Sequence, residues 1–101
     1  MKTKMENKQM YFFEINDPYL AVIAAKDEKR CLEIYTEVVS DVENEEVFYT
    51  EMQSIDKYTA LKLVAESYIE DGGKVGIEEA FNQLENLSQD GELLIIDGSL
   101  L

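Results

Sequence analysis

Apolar residues fall along this chain in short blocks whose spacing changes from block to block. Met10-Tyr11-Phe12-Phe13-Glu14-Ile15 is aromatic and β-branched, Asn16-Asp17-Pro18 supplies turn chemistry, and Tyr19-Leu20-Ala21-Val22-Ile23-Ala24-Ala25 resumes the apolar run, which predicts a β-hairpin. Pro18 has no amide hydrogen for a ladder, so it belongs in the connection or at the first residue of the second strand. After Asp27, a residue suited to an N-cap, Cys31, Leu32, Tyr35, Val38 and Val39 recur at the spacings of one helical stripe. The polar run SDVENEE breaks that pattern. VFYTEMQ then alternates, with Val47 and Tyr49 on one side and Phe48, Thr50 and Met52 on the other, and reads as a third strand.

Asp56 opens a second helical pattern, KYTALKLVAESYIE, whose stripe is Leu61, Val64, Ala65 and Tyr68 and whose stop is Gly72-Gly73. In GIEEAFNQLENL, Ile77, Phe81, Leu84 and Leu87 recur at three and four, with Glu78 and Glu79 in the first turn, where the helix dipole favours acids. Asp90-Gly91 turns the chain into ELLIID, a short uninterrupted apolar run that reads as a buried strand. The expected fold class is α+β. It has a mainly antiparallel sheet of about four strands with three helices packed on one side, in the order β-β-α-β-α-α-β. One domain covers residues 1–101, with residues 1–9 expected to be a flexible tail.

Composition agrees with a folded chain. The 101 residues are 46% hydrophobic and 31% charged, suited to a domain that buries roughly 60 to 70% of its extended surface. No apolar run is long enough to span a bilayer, and MKTKMENKQM lacks the apolar core of a signal peptide, so the expectation is a cytoplasmic protein without a membrane partner. With one cysteine and no histidine, an internal disulfide and the usual zinc ligand sets are excluded.

Charge changes the picture more. The net charge is −13, beyond the magnitude of about 2 to 8 that keeps a small domain soluble. From Cys31 to Asp56 there are eight acidic residues and no basic one, and after Lys74 six more acids follow, again without a base. Such a field repels nucleic acid and anionic membranes and attracts basic surfaces.

The sequence offers little for catalysis. Cys31 occupies a stripe position, where a small core residue is expected, although Lys29 and Arg30 stand beside it. Gly73-Lys74-Val75-Gly76 lacks the ending of a phosphate-binding loop, and a calcium loop begun at Asp41 fails at Glu46 and Met52. The chain is therefore expected not to be an enzyme and to hold no metal or cofactor. What remains is the acidic run. Glu33, Glu37 and Asp41 recur every four residues, about 6 Å apart if one helix carries all three, at a cost of a few tenths of a kcal/mol per like-charged pair. The series continues through Glu43, Glu45, Glu46 and Glu51, with Tyr49 between them. One reading is a solvated face. The sharper reading is a partner-binding ridge that imitates a nucleic-acid backbone and occupies a basic channel, with tyrosines adding stacking against arginine.

The stretches MYFFEINDPYLAVIAAKDEKRCLEIYTEVVSD and ELLIIDGSLL resemble small acidic proteins carried by phages and other mobile elements of Gram-positive bacteria, and among these the type II anti-CRISPR proteins. That resemblance implies a non-enzymatic inhibitor of the Cas9 nuclease, competing with guide RNA or DNA for a basic channel and preventing assembly of the guide-RNA complex. The rival reading is an acidic homodimeric interaction module, with Leu93, Leu94, Ile95, Ile96, Leu100 and Leu101 as its apolar surface.

Overall fold

In the computed structural model, which describes residues 10–16, 19–67 and 72–96, β1 (Tyr11–Ile15) and β2 (Ala21–Ala25) form the expected antiparallel hairpin, with Phe13 opposite Ile23 and Ile15 opposite Ala21. A short β3 (Gln53–Ile55) joins the free side of β1, and β4 (Glu92–Ile96) joins β2. The sheet is four-stranded, antiparallel throughout, in the order β3-β1-β2-β4. The helices are α1 (Glu28–Val38), α2 (Glu45–Glu51), α3 (Lys57–Glu66) and α4 (Ile77–Glu85), one more than the sequence predicted. The class is α+β.

Helices cover both faces of the sheet, not one. Side chains alternate along a strand, so Phe13, Ile15, Ala21, Ile23 and Ala25 pack with Cys31, Leu32, Ile34 and Tyr35 of α1 and Phe48 of α2. Their neighbours Phe12, Val22 and Ala24 point the other way, onto Ala60 and Val64 of α3 and Ala80 and Leu84 of α4. Every residue of β2 is buried, as expected for a strand enclosed on both sides. In β4 the pairing shifts by one residue: Ile95 faces Val22 while Leu93 faces Ile23, so Leu94 is an extra residue, a β-bulge. The bulge sends Leu94 and Ile95 into the α3/α4 layer and Leu93 towards α1.

The run VFYTEMQ is not a strand. Asn44 caps a helix instead, its Oδ1 accepting from the backbone N–H groups of Glu46 at 2.9 Å and Val47 at 3.2 Å, with Glu45 and Glu46 in the favourable first turn. A strand would turn Thr50 to the same side as Phe48 and Met52. The helix brings only the latter two to the core and leaves Thr50 exposed. The third strand begins at Gln53, after this helix.

Helix α1 starts at the Asp27 cap, whose carboxylate accepts from the Arg30 amide at 2.8 Å, and stops at Val38, which is exposed; Ile34 takes the buried place. Helix α3 begins at the expected Asp56 cap. It ends at Glu66, because Ser67 is extended with ψ 161°, so the helix stops short of the predicted Gly72-Gly73; Tyr68 to residue 70 lie outside the described residues. Helices α3 and α4 run antiparallel, joined by an ion pair of 2.7 Å between Lys57 and Glu85 at one end and by the Gly76 amide donating to the Ala65 carbonyl at the other. On α4 the buried residues are Ala80 and Leu84, whereas the predicted stripe members Ile77 and Phe81 are 57% and 53% exposed.

Candidate functional site

Helix α2 folds back beside α1, and one aromatic side chain fastens it. Phe48 is buried, its ring edge-on to that of Tyr35 with centroids 5.1 Å apart and planes at 60°. The buried Tyr35 hydroxyl accepts from the Tyr19 N–H and donates to the Tyr19 carbonyl, both at 2.9 Å. One tyrosine thus ties the connection between β1 and β2 to the interior of the helical hairpin. Between that connection and the turn joining α1 to α2 lies a groove of about 460 Å³, lined by Tyr19, Ser40, Asp41, Val42, Glu43, Asn44, Val47 and Phe48.

The acidic residues singled out in the sequence divide into groups. Glu33, Glu37 and Asp41 do not form one helical line, because α1 ends at Val38 and Asp41 stands in the turn. Glu33 and Glu37 of α1 meet Glu45 of α2 around a shallow cleft with Arg30, Leu32 and Thr36. Asp41 and Glu43 line the groove beside Tyr19. Glu46, in the first turn of α2, and Glu51, its last residue, are exposed and line neither. Glu33 is paired with Arg30 at 3.1 Å. Arg30 also holds the turn before β4, its Nε donating to the Asp90 carbonyl at 2.8 Å, so this cation serves the fold as well.

Tyr49 reports the local field. Burial, followed by the charges of Glu45, Glu28, Cys31 and Asp27, holds its hydroxyl above the ordinary value. Asp27 and Glu28 therefore belong to the same acidic neighbourhood, which the sequence reading missed by starting its acidic run at Cys31. The signal was the helix cap itself, since an acidic N-cap and first turn necessarily add charge at the start of α1.

Cys31 is fully buried, and burial, with Glu28 second, pushes its thiol up to about 12, the opposite of an activated nucleophile. Among the described residues no group of three or more cysteine, aspartate or glutamate side chains is arranged to hold a metal ion. No helix among them is long and apolar enough to cross a membrane. The arrangement can attract cations and hold basic side chains by charge-assisted hydrogen bonds.

Residues 10–95 match the family model of the YosH C-terminal domain. Over 99 residues, 97% of its length, the chain is 33% identical to the SPbeta prophage-derived protein YosH of Bacillus subtilis (strain 168), and it spans 61% of that protein. No solved structure matches. The chain thus belongs to the YosH C-terminal domain family, which includes a prophage-derived protein.

Proposed function

We propose that this chain is a non-enzymatic binding domain of phage origin whose acidic α1–α2 face occupies the basic nucleic-acid channel of a partner protein, in competition with RNA or DNA. One observation carries the reading: α2 turns back so that Glu45 joins Glu33 and Glu37 at a single cleft where Arg30 is the one cation among the described lining residues. Grouping like charges costs stability, and solvated ion pairs return little of it. A partner rich in lysine and arginine gives the arrangement a use.

Cas9 is the specific partner we propose, because its channel for guide RNA and target DNA is strongly basic. This finer assignment rests on the sequence resemblance to type II anti-CRISPR proteins, and it is compatible with a prophage-derived relative. The test is a gel-shift titration of labelled guide RNA on Cas9 with increasing amounts of the purified chain, at low and high salt. Loss of the RNA complex, weakened by salt and abolished by Glu37→Lys with Glu45→Lys, supports the proposal; undiminished inhibition by that double variant removes the acidic face from it. A salt-dependent pull-down from a Gram-positive lysate, read by mass spectrometry, tests the broader reading when Cas9 is unaffected.

A homodimeric module is the second reading. Its expected apolar surface is partly spent on the core, since Leu94 and Ile95 are buried and Leu93 and Ile96 half-buried, while Leu100 and Leu101 lie outside the described residues. The exposed pair Ile77 and Phe81, four residues apart on α4, favours it instead. Light scattering across concentrations, with Phe81→Glu as the control, separates a dimer from a monomer.

A further inference from the structure

The groove between the β1–β2 connection and the α1–α2 turn has a more particular shape than the open acidic face. Its apolar lining comes from Val42, Val47 and the edge of buried Phe48, with Val47 46% exposed at the mouth. Tyr19 is 50% exposed, and its backbone is held on both its N–H and its carbonyl by the Tyr35 hydroxyl. Asp41 and Glu43 complete the rim, and neither carboxylate has an ion-pair or hydrogen-bond partner among the described residues. The Asp41 carbonyl accepts from the Ser40 hydroxyl at 3.1 Å, which fixes the turn that presents these two acids. No lysine or arginine is among the described lining residues.

We infer that this groove receives one arginine side chain of the basic partner, an inference that rests on the reading above. The volume of about 460 Å³ admits one long side chain with its adjoining backbone. Apolar walls suit the methylene stem, which arginine buries readily while keeping its head in a polar setting. The unpaired carboxylates match the planar fork of a guanidinium, which makes two parallel charge-assisted hydrogen bonds, and the tyrosine ring offers a stacking face. Lysine provides a point charge without the fork or the flat surface. An apolar side chain here would bury against the valines but strip water from two carboxylates without pairing either. A phosphate would be repelled.

The test uses fluorescein-labelled hexa-arginine and hexa-lysine peptides, read by anisotropy at one ionic strength. The intact chain should bind hexa-arginine at least about fivefold more tightly than hexa-lysine. Tyr19→Leu keeps the net charge and the backbone bonds to Tyr35, and it should lower that preference while leaving hexa-lysine binding unchanged. Val47→Trp, at an exposed position, should fill the groove and act likewise; circular dichroism confirms that both variants fold. Equal affinity for the two peptides, or an arginine preference undiminished by either substitution, overturns the inference. If both peptides bind equally and Glu37→Lys with Glu45→Lys abolishes both, the groove is wrong and the acidic face stands. If neither peptide binds the intact chain, both readings fail.

Discussion

Replacing Gly91 by alanine tests how the turn before β4 is seated. Gly91 has φ +92°, and a Cβ there would lie 2.6 Å from the Ala24 carbonyl oxygen, 2.8 Å from Ile34 Cδ1 and 3.3 Å from the Ala25 Cα. Two of these neighbours are backbone of the central strand β2, which is fixed by strands on both sides, so the substitution forces the turn outwards. Left-handed strain costs about 1–2 kcal/mol, and overpacking against a rigid neighbour adds about 1–3 kcal/mol. Gly72→Ala is the control, since Gly72 has the same φ of +92° with nothing within 4 Å of the added Cβ, leaving the strain alone. The loss of chain entropy in the unfolded state is similar for the two and cancels in the comparison. Urea titrations followed by far-ultraviolet circular dichroism should therefore find Gly91→Ala less stable than Gly72→Ala by about 1–3 kcal/mol, with unchanged m values, and its Tm lower by a further ~4–8 °C per kcal/mol. Equal losses would refute the described packing of this turn against β2 and α1.

Asn44→Ala removes the acceptor for the Glu46 and Val47 amides, and should cost about 1 kcal/mol and speed hydrogen exchange in α2 more than in α3. Cys31 should resist a thiol reagent at neutral pH in the native protein and react promptly in urea. Because its folded value is raised from 9.0 to about 12, its contribution to stability is complete below pH 9 and declines as the pH rises towards about 12, which Cys31→Ala should remove from a pH series of urea midpoints. The Asp56 carboxyl is held below its ordinary 3.8, first by the Thr59 amide and then by the Thr59 hydroxyl. Its contribution is present above that pH and lost as the pH falls through the lowered value, so Asp56→Ala should lessen the acid sensitivity of the urea midpoint below pH ~4.

Local chemistry was legible. Turn residues around Asn16, the caps at Asp27 and Asp56 and the apolar run before Ile96 act within a few residues of themselves, and each element they announce is present. The failures have a common cause. Phe48 and Met52 lie on one side of either a strand or a helix, so their spacing could not choose; the deciding marks were Asn44 and the two glutamates after it. AVIAA contains no polar alternation, which is the mark of a strand covered on both faces, yet a hairpin reading does not require the question. On α4, Ala80 was passed over in favour of the larger Phe81, although a small residue is what lets α4 lie close against α3. The acidic residues were visible as a run, but their grouping depends on chain reversal. Nothing local brings Glu45 to Glu33, or the Tyr35 hydroxyl to a backbone sixteen residues earlier.

The division of the interior by the sheet has a consequence for how members of this family can change length. Phe12 and Phe13, like Val22 and Ile23, are chain neighbours committed to opposite interiors. Inserting or deleting one residue within β1 or β2 would exchange the two sets of side chains at once, handing each helical layer the partners shaped for the other. Gains and losses of residues are thus expected in connections such as residues 40–44, where the chain can lengthen or shorten while the strands behind it keep their phase.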